Sequence, residues 1–201
     1  MRSRRESMTR RSPTRGATAR VILTAGALAW TAALCSGCAT TASPVTVLPG
    51  AGSQFSTAER AFAMQAAAGG VYEAAAARLG AGRASDPRVR AYAEQLVTDH
   101  VQANGEFAVL LRAKGMAPPA GPTVDQAASL QQLGALATGL AFDRGFLQLV
   151  GIDQHVAGIA LFEQARADVV DPDLRAWIDK TLTAMRSHLA SAQSLAALLA
   201  R

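Results

Sequence analysis

Three histidines, His100, His155 and His188, are the only imidazoles in the chain of 201 residues, and each falls in a separate segment with helical apolar periodicity. At 100° per residue, Val89, Ala93, Leu96, His100, Phe107 and Leu111 share one face, with Asn104 beside His100. Leu174, Ile178, Met185, His188, Leu189 and Ala192 share another. Upstream, Phe62, Ala66, Gly70, Glu73 and Ala77 align. Between these segments, Phe142, Phe146, Leu149, Asp153, Val156, Ala160 and Glu163 align, with His155 on the flank. Each stripe thus aims an ionisable group at the core, and a buried carboxylate or imidazole costs several kcal/mol unless it is paired or coordinated. Glu73, His100, Asp153 and His188 all fall near the middle of their segments; His155 joins them, and Glu163 lies about two turns away. Glu73, His100, Asp153, His155 and His188 are therefore candidate ligands of one transition metal ion (Fe, Mn, Zn or Cu), with Asn104 and Glu163 supporting them. The same residues also suit a hydrogen-bonded network that only fixes helix packing. Both readings stay open on sequence alone.

The elements that would carry these groups are punctuated clearly. Ser56-Thr57-Ala58-Glu59 is a capping box opening a first helix expected to run to Leu79, before Gly80. Asp86-Pro87 is an N-cap with proline at the first helical position; the helix it opens is expected to reach Lys114 and stop at Gly115. After a proline-rich loop, Thr123-Val124-Asp125-Gln126 opens a short helix to about Ala137. A third long helix is expected from about Leu140 to Val169, and a fourth from Asp171-Pro172 to the C-terminus. Asp86-Pro87-Arg88-Val89-Arg90-Ala91-Tyr92 resembles Asp171-Pro172-Asp173-Leu174-Arg175-Ala176-Trp177, each opening the second helix of a hairpin. Two hairpins joined by the stretch from Gly115 to Thr138 predict an all-α, ferritin-like four-helix bundle whose long crossover contains a short extra helix. The glycines Gly145, Gly151 and Gly158 of the third long helix predict close helix approach, with local unwinding near a site as the alternative.

The N-terminal segment reads differently. Seven arginines precede residue 21, and removing them with Glu6 leaves 13 basic and 14 acidic side chains. The excess charge is thus confined to a leader; no basic stripe marks the domain, which argues against a nucleic-acid partner. Val21 to Leu34 is an apolar run shorter than the ~20 residues of a spanning helix. It ends at Leu34-Cys35-Ser36-Gly37-Cys38, which resembles a bacterial lipobox with Cys35 in the place of the usual aliphatic residue. This predicts a signal peptide over 1–37, lipidation of Cys38, and a Thr/Ser/Pro/Gly-rich tether over 38–55 ahead of the domain at 56–201. Ordinary cleavage near Ala39 to Ala42 is the alternative. Arg10-Arg11 resembles a twin-arginine signal, but Pro13 stands where that motif wants a bulky apolar residue. With Ala39 after the cysteine, the anchor is expected at the periplasmic face of the outer membrane, or at the outer face of the cell membrane in a one-membrane bacterium. The membrane is then the expected partner; a protein partner is left open, and the alternative reading is a structural or partner-binding envelope lipoprotein. Both cysteines belong to the leader region, leaving the domain without thiolate sites or disulfides. No nucleophile–base pair, phosphate loop or cofactor motif marks an enzyme.

Ala68-Gly69-Gly70-Val71-Tyr72-Glu73, Asp99-His100 with Asn104 and Glu106-Phe107, Phe142-Asp143-Arg144, Asp153-Gln154-His155 with Leu161-Phe162-Glu163, and His188-Leu189-Ala190-Ser191-Ala192-Gln193 occur in order. Together they resemble the bacterial envelope family known as domain of unknown function 4142, over about residues 56–199. The resemblance implies a ferritin-like helical bundle and leaves the activity open. Di-iron bundles carry Glu-x-x-His on two helices. Val97 and Met185 hold those glutamate positions here, so a single ion or no metal is expected in place of a di-iron pair.

Overall fold

In the computed structural model, residues 54–201 are described, and every regular element among them is a helix. The expected signal peptide, Cys38 and almost all of the tether lie outside the described residues. Helices α1 (Thr57–Arg83) and α2 (Pro87–Ala113) form one hairpin. A short α3 (Val124–Ala135) follows. The next long helix comprises α4 (Leu140–Phe146), a π-helical segment (Leu147–Gln154) and α5 (His155–Asp168). The last helix is α6 (Pro172–Leu199).

The caps form as the sequence dictates. Ser56 and Glu59 close a reciprocal capping box on α1, as do Thr123 and Gln126 on α3. Asp86 and Asp171 accept from the first-turn amides of α2 and α6, each with proline at the first helical position. Gly115 ends the second helix with φ 71°, a left-handed conformation that glycine adopts without a side-chain penalty. Gly80 does not end α1. A Cβ there would stand 2.5 Å from the Phe146 ring and 3.0 Å from the Ala93 Cβ, so this glycine serves close packing and the helix continues another turn to Arg83.

Contacts at the two ends define the topology. The turn between α1 and α2 meets the start of α4, where the buried Asp143 carboxylate accepts from the Ser85 and Asp86 amides at 2.9 and 2.8 Å. Arg144 donates to the Leu199 carbonyl at the end of α6. At the opposite end, Glu59 at the start of α1 accepts from the Val170 and Asp171 amides at 2.9 and 2.8 Å. Lys114, just after α2, pairs there with Asp171 in a contact almost sealed from solvent. The connection from α2 to α4 therefore travels the length of the bundle and carries α3 with it. On the way Arg83 holds α3 through the Gly134 and Leu136 carbonyls.

Two apolar clusters fill the interior. One gathers Tyr72, Ala76, Leu96, Phe142, Phe146, Val150 and Ala192. The other gathers Phe62, Ala66, Phe107, Leu111, Phe162, Leu174 and Ile178. On α2, on the helix Leu140–Asp168 and on α6 the step from one cluster to the other passes through His100, His155 and His188, and on α1 Glu73 stands at the edge of the first cluster. The helix Leu140–Asp168 is long and apolar enough to cross a membrane, and its buried side packs against α6 and α1.

Candidate metal centre

The three histidines meet between the two clusters. His100 projects from the middle of α2, His188 from α6, and His155 from the exit of the π-helical segment. One nitrogen of each lies within 4.8 Å of the others. His155 and His188 are both buried. His155 Nε2 and His188 Nδ1 are 3.3 Å apart. Two nitrogen ligands at ~2.0–2.1 Å from a tetrahedral ion lie roughly 3.3–3.4 Å from each other. The three rings surround a common point, with centroids 5.3 to 5.9 Å apart.

The outer nitrogens explain why the inner ones are free to ligate. His155 Nδ1 is 2.9 Å from the Val150 carbonyl, which can only accept, so that nitrogen carries the proton. His188 Nε2 is 2.8 Å from Asp99 Oδ2 and donates to it. With both rings neutral, His155 Nε2 and His188 Nδ1 therefore confront each other with lone pairs. A carboxylate or carbonyl holding the far side of an imidazole is the arrangement that fixes tautomer and ring orientation around metals. His100 Nε2 is buried with no hydrogen-bond partner among the described residues.

Electrostatics favour the same protonation. Burial, reinforced by His155 and His188, lowers His100 to about 3. Burial lowers His155 to about 4, against the opposing effect of the Val150 carbonyl. Burial alone would raise Asp99, but hydrogen bonds from Gln95 and His188 outweigh it and hold the carboxyl below its usual range. His100 and His155 are thus kept as neutral donors, the form a metal requires. Three clustered imidazoles, two with their outer nitrogens tied and the third without a partner for Nε2 among the described residues, can hold a metal ion.

The remaining candidates divide. Glu73 faces a cavity of about 250 Å³ that His100, His155 and Asn104 also line. Its carboxyl is not one of the three clustered donors, and burial raises it to about 8. Asn104 donates to the Gly70 carbonyl at 2.8 Å and ties α2 to α1. Asp153, expected on the inner face, is exposed and accepts from Gln148. Glu163, also expected inward, is exposed and paired with Arg186 at 2.7 Å. The cause of both corrections is the π-helical segment. Its i→i+5 pattern accommodates one residue more than a regular helix, so the buried face advances from Phe146 through Val150 to His155. Everything beyond rotates by about 100° relative to uninterrupted 3.6-residue periodicity. His155, expected on the flank, consequently turns inward to only 2% exposure.

Sequence reasoning missed the role of Asp99. Asp99 immediately precedes His100 and so lies ~100° around α2, on the side facing α6. The Asp-His pair was visible but was read for its histidine alone. Trp177 stacks on Phe107 with centroids 3.7 Å apart, as a core aromatic should, and its indole Nε1 is buried without a partner among the described residues.

Neither a curated protein nor a solved structure matches this chain at a significant level. A family model, described as Domain of unknown function (DUF4142), matches residues 47–195, which takes in α1 and the whole histidine layer. The chain belongs to that family.

Proposed function

We propose that this protein is a lipid-anchored component of the bacterial envelope whose helical domain binds one transition metal ion through His100, His155 and His188. The observation that carries the metal reading is the pair of lone-pair nitrogens 3.3 Å apart, their outer nitrogens tied to Val150 and Asp99, with a third unpartnered imidazole beside them. Three imidazoles suit Zn, Cu or Fe, and the absence of Glu-x-x-His pairs argues for one ion. The antiparallel hairpins and the crossover running the bundle's length support a ferritin-like plan. Anchoring through Cys38 rests on the Leu34-Cys35-Ser36-Gly37-Cys38 sequence after an apolar run. It places the domain on the periplasmic face of the outer membrane, or outside the cell membrane where there is only one.

Elemental analysis of the purified protein, made without a histidine tag, tests the metal reading. One equivalent of metal per chain is expected, and it is lost in His100→Ala and His188→Ala. A well-folded protein without metal after incubation with Zn2+, Cu2+ or Fe2+ would leave only a polar network that sets helix packing. Incorporation of labelled fatty acid that disappears in Cys38→Ala tests the anchor; no incorporation in the native chain rejects it.

A further inference from the structure

The helix turns beside the three histidines differ on their two sides. Toward the first apolar cluster, Leu96, Val150 and Ala192 lie one turn from His100, His155 and His188 and are fully buried, so that side is packed shut. Toward the second cluster, Ala103, Asn104, Gly158 and Met185 lie one turn from the same histidines and line the cavity of about 250 Å³, with His100 and His155 themselves on its wall. That volume far exceeds the ~30 Å³ share of one water. Gln65 on α1 and Ala157 on α5 are the exposed residues of its lining, so the cavity reaches solvent between those two helices.

The cluster offers three donors, and no carboxylate or thiolate among the described residues belongs to it. Closed structural sites surround a zinc ion with four protein ligands, whereas three protein ligands leave a position for one from solvent. Charge narrows what that ligand is. A ligating histidine is neutral, so three of them offset none of a divalent ion's charge. Asp99 is bonded to the outer nitrogen of His188, which puts the ring between its carboxylate and the ion. An anion bound directly to the ion offsets the cost of holding that charge in a buried layer. We infer that the ion keeps one coordination position on the hollow side of the histidine layer, and that a small inorganic anion enters between α1 and α5 to take it. This inference rests on the metal reading, because the ion is what the anion binds.

Azide titration of the purified, Co2+-loaded protein tests it, with cobalt content measured in each sample. Co2+ accepts the nitrogen ligands that suit zinc and, unlike Zn2+, absorbs visible light in a way that depends on what it binds. A visible spectrum that changes to saturation with one azide per chain is expected. Gly69 lines the cavity, and a Cβ there would meet nothing within 4 Å. Gly69→Phe therefore fills the space from α1 while removing a glycine from a helix interior, and Ala157→Phe fills it from α5. Both are expected to hold full cobalt and to bind azide at least about tenfold more weakly. Full cobalt with a spectrum that azide leaves unmoved overturns this inference and leaves the metal reading standing, with the fourth position closed by the protein. Unchanged azide affinity in both filled variants also overturns it, by placing the anion elsewhere. Failure of the native protein to take up cobalt or zinc removes the metal reading itself.

Discussion

Asp99 decides which nitrogen of His188 turns inward. Removing its charge while keeping its shape should loosen that choice without disturbing the bundle. Asp99→Asn is expected to retain native helicity and to bind metal about 10–100-fold more weakly, measured by competition with a chelator of known affinity. Unchanged affinity would make Asp99 a bystander. At the far end, Glu59 accepts amides from Ser56, Val170 and Asp171. Burial raises its pKa, yet these bonds prevail and bring it down to about 2. A group whose folded pKa lies below its unfolded value contributes stability fully above the unfolded pKa, near 4.5, and loses it as pH falls toward 2. That contribution is of order 3 kcal/mol. Denaturant titrations between pH 5 and pH 2.5 should therefore show stability falling more steeply in the native protein than in Glu59→Gln; parallel slopes would remove Glu59 from the acid response. His100 and His188 could be placed from sequence because they sit on unbroken 3.6-residue stripes. Asp99 could not, because its partner is on a helix 89 residues later.

At the scale of elements, regular periodicity held where the helix was regular and failed where it was not. Phe142 and Phe146 are buried as expected, whereas Asp153, Val156, Ala160 and Glu163 are not. Nothing in Leu147-Gln148-Leu149-Val150-Gly151-Ile152-Asp153-Gln154 announces an extra residue in the turn, since apolar side chains occur on several sides of it. The packing partner selects the register. Gly151 lies against α6 so closely that a Cβ would meet the Ala192 Cβ at 2.6 Å. The glycines of this helix thus serve close approach, as their number suggested. The same holds for Gly80 on α1. Gly80→Ala gains up to ~1 kcal/mol of helix propensity but must displace Phe146 and Ala93, an overpacking cost of about 1–3 kcal/mol. Chemical denaturation is expected to show a net loss of stability, and an equal or higher midpoint would mean that the Phe146 ring yields freely.

For the molecule as a whole, helix order and hairpin pairing were legible because caps, prolines and Gly115 mark the ends so plainly. The fastenings between ends were not, since they join residues far apart in sequence. The most enclosed of them is Lys114 with Asp171, whose side chains are only 7% and 3% exposed. Truncating one member strands the other, so Lys114→Ala is expected to cost about 3–5 kcal/mol, read from the urea midpoint. A loss below about 1 kcal/mol would show that water reaches Asp171 readily. The single residue gained between Phe146 and Phe162 has a wider bearing. The bundle needs only its stripes and its latches, whereas His155 reaches the centre only by that extra step. Architecture and chemistry are therefore inherited on separate terms. A homologue shortened by one position there should keep its helices while turning the third imidazole away from the other two, so the length of that stretch becomes a marker for sorting the family into members with and without the three-histidine cluster.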